Sequence, residues 1–534
     1  MRYLSRAVTL SALIALVVLS NSGFTFERAQ PAASGPQSIE MEVRTDGESI
    51  VWSYAQYYDF YTCLKPVGAG EPTWCIDEAW SGDVSGNAFV WVDFDGLNGL
   101  GLETGDPLPL PEVPGDNNHT SLSGDRLVWT NRVDPFGPTR ILTVALSDPH
   151  TVEEVVSVET GVGEQVFRPA ISGDRVLWGV ATVDGEDYGW ELWTTLIGGQ
   201  PQLLLSGPTL EPLHGYDLHG KTVTYGLHDQ VFVLDIDAPD LIRQISSWGS
   251  KPSTDGRYVF WSDWPLFYEP HEDRVLGYDL ETNSYIGAEI GESSQIKSIW
   301  TSDGVVAWME RDGTTELVQS RPIKEILPSA PQPDPGTTSP DWLYFDRTGH
   351  YLSSGFKNFW VRSGGLPVFG YPMTTEYEEF NVDLGEFRTV QYTERQRFEY
   401  HPAYAGSPYE TSLGRLGYAD AERRGLLEHE AFQPVADPGT PGVEYVAATG
   451  HTMQGRFRDY WHRYGLDFGD AGISYRESLA LFGYPISQEF VDPDTGLVTQ
   501  YFERAVFEYH PDHREPYDVL LRRLGAEAIH EREW

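Results

Sequence analysis

The sequence predicts a mainly β protein: a seven-bladed β-propeller followed by two small α+β repeat modules. Three observations predict it. A turn-and-strand signature recurs seven times before residue 327, a different signature occurs twice after residue 342, and a Pro-rich stretch separates them. At 534 residues the chain is too long for one core, so several domains are expected.

Residues 1–22 read as a secretory leader. Arg2 and Arg6 precede the apolar run Ala7–Leu19, and Ser20 and Ser22 offer small residues for cleavage. The run is too short to span a bilayer. The expectation is an exported product, secreted or held at the cell surface, with no membrane insertion after cleavage.

The propeller is placed at 37–327. Its signature is clearest at Ser172-Gly173-Asp174-Arg175-Val176-Leu177-Trp178 and returns, loosened, at Thr45–Trp52, Ser85–Trp91, Ser123–Trp129, His219–Tyr225, Asp255–Trp261 and Ser302–Trp308. Gly supplies the positive φ of a tight turn. The contiguous apolar run after it marks a strand covered on both faces. Gaps between successive glycines are 39, 38, 49, 47, 36 and 48 residues, the length of a four-stranded blade. At these residues the chain resembles the TolB-like propeller repeats, which implies the fold and no particular activity.

The two cysteines, Cys63 and Cys75, lie in the first blade. An exported pair at this spacing is expected to form a disulfide. Catalytic signatures are missing. There is no G-x-S-x-G elbow, and the spacing does not fit sialidase boxes. Asp93 and Asp95 lack the rest of a calcium loop. Asp184, Glu186 and Asp187 read as polar loop residues. No catalytic residue, cofactor or metal is assigned.

Residues 328–341 form the Pro-rich linker, expected to be semi-extended. Two repeat modules follow, at 342–432 and 445–534. Thr348-Gly349-His350 returns as Thr449-Gly450-His451, and Phe369-Gly370-Tyr371-Pro372 as Phe482-Gly483-Tyr484-Pro485. Gln391-Tyr392 and Glu394-Arg395 match Gln500-Tyr501 and Glu503-Arg504, and Phe398–Pro402 matches Phe507–Pro511. Phe457, Tyr460, Trp461 and Tyr464 fall at i, i+3, i+4 and i+7, one aromatic helix face. Trp360 and Trp461 are expected to pack on Phe398 and Phe507, and the longer loop Asp467–Glu477 to bulge outward. The order of these motifs resembles the LGFP repeats of bacterial envelope proteins, which implies a tether to the cell wall.

Exposed Tyr and Trp stack well on sugar rings, so Tyr400, His401 and Arg395, with their matches Tyr509, His510 and Arg504, are the candidate ligand contacts. His350, His401, His451 and His510 fall short of a closed metal site. The formal net charge of −43 disfavours nucleic acid or an anionic membrane surface as partner. The expectation is a binding protein whose partner is an envelope polysaccharide or an exported protein. The rivals are a secreted carbohydrate-active or other hydrolase with its site in the propeller channel, and a protein–protein scaffold.

Overall fold

The structure, a computed structural model, describes residues 38–56, 59–134, 137–159, 165–184, 187–208, 213–262, 274–289, 294–312 and 315–534. The leader and Glu186 lie outside these residues. Between 38 and 322 the strands fall into seven antiparallel sheets in chain order, at 38–77, 80–101, 116–158, 165–208, 213–246, 250–289 and 294–322. Their innermost strands are Ser38–Thr45, Trp80–Ser85, Asp116–Ser123, Ala170–Ser172, Leu213–His219, Ser250–Thr254 and Ser294–Ser302. Each lies beside the innermost strand of the next sheet, and the seventh lies beside the first. The sheets therefore stand in a ring, as in a propeller.

The repeated signature accounts for this ring at two levels. All seven marker glycines carry positive φ, from +54° at Gly86 to +96° at Gly256, the region in which a side chain is disfavoured. The strands that follow are buried along their length, and Trp91, Trp129, Trp178, Tyr225, Trp261 and Trp308 are all enclosed. Such strands are covered by the sheets on either side.

A hydrogen bond from a backbone N–H to a side chain of the preceding sheet crosses every junction. Gly82 N donates to Ser53 Oγ, Leu122 N to Asp83 Oδ2, Gly173 N to Ser123 Oγ and Gly220 N to Ser172 Oγ. Thr254 N donates to Asp217 Oδ2, Thr301 N to Ser253 Oγ and Val43 N to Ser298 Oγ, which returns to the first sheet. The serine of the repeated motif is thus a fastener to the next sheet as well as a turn residue.

Ser38–Thr45 pairs with Ser49–Gln56, and Thr315–Pro322 pairs with Val305–Asp312, so the two ends share no sheet. The reason is that residues 38–77 already complete the first sheet. The ends meet face to face instead. Val43 and Ile50 pack on Ala307 and Met309, and the Arg44 guanidinium lies 3.4 Å from the centre of the Trp300 ring. Cys63 and Cys75 are opposite each other across Asp59–Pro66 and Trp74–Asp77, with their sulfurs bonded.

The linker is not a free spacer. Pro328 and Ala330 are buried, Thr375 N donates to Pro328 O, and Gln332 N donates to Gly349 O. The first repeat then runs through α1 (Ser354–Arg362), α2 (Gly365–Phe369), four strands between 377 and 413, and α3 (Leu416–Arg423). The second repeats that order with α4 (Gly455–Arg463), α5 (Tyr475–Phe482), four strands between 490 and 521, and α6 (Leu524–Glu531).

The two repeats share one core. Phe356, Phe359, Phe369 and Phe398 of the first lie in a single cluster with Phe457, Trp461, Phe482 and Phe507 of the second. The sharing is reciprocal. Gly417 opens α3 against the hairpin of the other repeat, and a Cβ there would stand 2.0 Å from Phe502 O. Gly525 opens α6 against the opposite hairpin, where a Cβ would stand 2.0 Å from Thr393 O. Tyr418 N donates to Glu503 O and Ala526 N to Glu394 O.

The tail also docks on the ring. Ser284 pairs with Glu379, which joins the sixth sheet to the strands of the first repeat. Trp534 Nε1 donates to the buried Asp279 at 3.0 Å, and Arg257 bridges Asp279 and the Arg532 carbonyl. Among the described residues, no helix is long and apolar enough to cross a membrane.

Candidate functional site

Two places gather polar side chains: the centre of the ring and a cleft between the repeats. At the centre, Arg168 of the fourth sheet crosses to Glu42 of the first, to Gly82 O and Asp83 of the second, and to Thr120 O of the third. Arg44 meets the same Glu42 carboxylate at 3.2 Å. Burial pushes the Glu42 carboxyl up, but the guanidinium groups of Arg168 and Arg44 outweigh it and hold it at about 2. The Glu42 side chain is 40% exposed.

Asp83 and Asp217 sit three residues before their marker glycines and are raised by burial, Asp217 to about 6. Burial, with Arg168 nearby, also lowers His119 to about 4, so its imidazole is neutral at pH 7. Both aspartates are occupied. Asp83 accepts from Val84 N and Leu122 N, and Asp217 from Leu218 N, Thr254 N and Ser253 Oγ. These carboxylates hold neighbouring sheets together. The nucleophile–base–orienter geometry of a hydrolytic centre is not formed by them.

The cleft encloses about 810 Å³. Pro367, Val368, Arg395, Arg423 and Arg424 of the first repeat face Tyr460, Tyr464, His510, Tyr517, Arg522 and Arg523 of the second. Tyr460 and Tyr464 stand with ring centres 4.5 Å apart. Tyr460 also packs on Phe482 and Phe507, and Phe457 and Trp461 of the same aromatic helix face are buried.

Beneath the cleft lies a buried knot. Asp492 receives a two-pronged bond from Arg424, both contacts at 2.9 Å, and a third from Arg522 at 2.8 Å. Arg522 also donates to Tyr501 Oη, which donates to Asp420. The first repeat holds the matching knot. Glu379 accepts from Arg397 and Arg532 at 2.7 Å each, and Arg532 donates to Tyr392 Oη. Burial raises Glu379, and the two arginines outweigh it and hold the carboxyl at about 2. Arg424 belongs to the first repeat and Arg532 to the second, so each knot is completed by the other repeat.

Of the six residues marked in the sequence, the cleft brings together Arg395 and His510. The others serve structure. His401 Nε2 bonds Ser412 Oγ at 2.7 Å, and burial lowers its pKa. Arg504 Nε donates to Leu413 O at 3.0 Å. Tyr400 and Tyr509 pack against the shared core, Tyr509 beneath the Arg456 guanidinium. Tyr517, Arg423, Arg424, Arg522 and Arg523 carry no motif and are assembled only by the exchange of helices. His350 and His451 tie down the chain before each repeat; His451 Nε2 meets Phe432 O at 3.2 Å. Among the described residues no group of His, Cys, Asp and Glu is placed to hold a metal. Asp93 accepts from Asp95 N in a simple turn.

Trp461 is buried in the core that holds Phe398 and Phe507, and Trp360 packs at its edge, while Phe359 and Tyr460 make ring contacts with Phe398 and Phe507. Trp360 and Trp461 also donate to Gly370 O and Gly483 O, because the bulky indole reaches the turn that follows the second helix. The loop Asp467–Glu477 does not simply bulge. Phe468 meets Tyr409 of the first repeat edge to face, and Ser474 and Glu477 cap α5.

No protein-family model and no curated protein matches the chain. Solved structures similar to it include the following three. One is the β-propeller domain of the trilobed protease of Pyrococcus furiosus, at 12% identity and TM-score 0.39, covering 54% of this chain and 95% of that one. Another is the acylaminoacyl peptidase of Pyrococcus horikoshii, at 14% and 0.40, covering 67% of this chain and 58% of that one. A TolB from Agrobacterium tumefaciens follows at 16% and 0.31, covering 48% and 93%. The propeller assignment itself rests on the ring of sheets and its seven fastened junctions.

Proposed function

We propose that the protein is an exported, non-catalytic binding protein. In this reading a seven-bladed, TolB-like propeller offers its channel mouth to a protein or carbohydrate partner. The paired LGFP-like α+β modules at 342–432 and 445–534 hold the molecule to cell-envelope glycan at the cell surface. The observation that carries the reading is the cleft between the repeats, where tyrosine rings and arginine side chains line one open space. Flat rings and hydrogen-bonding forks are what a hydroxyl-rich ligand needs.

The hydrolase rival is favoured by one observation, the elevated Asp217. Against it, Asp217 already accepts three hydrogen bonds, and Glu42 is neutralised by two arginines. Because the tail is docked on the ring, the test uses the intact mature chain. It should co-sediment with purified envelope polysaccharide, and Tyr460→Ala/Tyr464→Ala should release it while Asp217→Asn should not. Turnover of a glycan or peptide that disappears in Asp217→Asn would instead establish the hydrolase.

A further inference from the structure

The two repeats place equivalent residues on two sides of their interface, and the loop 467–477 of the second repeat reaches over one side, the closed half, while the cleft side is the open half. In the closed half, His401 is bonded to Ser412, Arg504 to Leu413 O, and Tyr409, 47% exposed, meets the Phe468 ring of the loop 467–477 edge to face. Arg476 braces that plug, paired with Asp470 at 2.8 Å and lying over the Phe468 ring.

In the open half the same positions are unmatched. Leu520 stands where the first repeat has Ser412, so His510 Nε2 is enclosed without a hydrogen-bond partner, and Glu508 Oε2 comes no closer than 3.5 Å. The Arg395 guanidinium makes a single long ion pair, 3.9 Å to Glu394. Tyr517, the equivalent of Tyr409, is 68% exposed. The cause is loop length. Between α1 and α2 the first repeat has only Ser363-Gly364, too short to reach Tyr517, whereas the second has 464–474 between α4 and α5.

We propose that the open cleft takes a sugar residue bearing one carboxylate, with Arg395 as the carboxylate's fork and Tyr517 as the ring platform. This rests on the glycan-binding reading above and names its ligand class. A planar carboxylate matches the guanidinium fork. A phosphate or a polyanion does not fit the surroundings, since Asp494, Glu508, Glu527 and Glu531 also line the cleft and the whole chain carries −43. The closed half serves as a brace.

The test is calorimetric titration of the intact chain with a glucuronic-acid trisaccharide and a neutral glucose trisaccharide. The acidic sugar should bind at least about tenfold more tightly, the worth of one charge-assisted bond. Arg395→Ala should remove that preference. Tyr517→Ala, which removes the ring platform, should weaken binding of both sugars at an unchanged melting temperature. His401→Gln in the closed half should leave affinity as it is. Equal affinity for the two sugars, no binding of either, displacement by millimolar inorganic phosphate, or indifference to either Arg395→Ala or Tyr517→Ala overturns the assignment. A chain that still co-sediments with envelope polysaccharide in those cases loses only this ligand class. Failure to co-sediment sinks the wider reading.

Discussion

The ring and the tail are both made of repeats, and they close in opposite ways. In the ring each sheet passes one polar side chain forward to the backbone of the next, until Ser298 reaches Val43 and the series ends where it began. In the tail the two repeats trade parts: α3 completes the second and α6 completes the first. A ring divides its closure among seven modest bonds. A pair concentrates it in two close backbone contacts and two buried ionic knots. The tail should therefore be fragile at a few positions, and the ring only weakly sensitive at many.

The largest effect should come from Gly417→Val or Gly525→Val. Either side chain would collide with a carbonyl oxygen of the other repeat, and a loss of about 4 kcal/mol or more is expected. Calorimetry should show the transition of the tail shifted or lost, equally for the two variants. If one is tolerated, the exchange is not reciprocal.

Next is Glu379→Gln, which leaves Arg397 and Arg532 buried around a neutral group and should cost about 3–5 kcal/mol. The same residue sets a pH response. Its folded pKa of about 2 lies below the unfolded value of 4.5, so its contribution is complete above pH 4.5 and is lost as pH falls toward 2. Asp217 has the opposite sign. Its folded pKa of about 6 lies above the unfolded 3.8, so its ionisation disfavours the ring as pH rises through 6, and acidification from 7 to 4 relieves that. Denaturant melts read separately from ring and tail should diverge between pH 6 and pH 3. Parallel behaviour would erase the distinction.

The smallest effect should be Ser172→Ala, which removes the fastener to Gly220 N. About 1 kcal/mol is expected, with the ring intact. Collapse of the ring would show that its closure is not shared.

How much of this was legible in the sequence depends on how far each residue reaches. The marker glycines and buried strands act within a few residues of themselves, and their pattern gave the sheets. Ser172 is visible in the motif, yet its partner Gly220 lies 48 residues away, so only its turn role could be read. The repeats of the tail were plain from matched motifs, but Arg424 and Arg532 act across the exchange and carry no local signal. The Pro-rich linker has no helix or strand, as its composition suggests, but the burial of Pro328 and Ala330 and the bond from Thr375 N to Pro328 O carry no local signal. Of the candidate contacts, His401 and His510 are identical in motif. Their difference is set by Ser412 and Leu520, on the neighbouring strand.

The most direct measurement is hydrogen exchange on the intact mature chain, with and without envelope polysaccharide. Protection is predicted at the hairpin carrying Arg395, at 460–464 and at 516–523, with the channel strands around Glu42, Asp83 and Asp217 unchanged. Protection confined to those channel strands, or none anywhere, would contradict a glycan-binding tail.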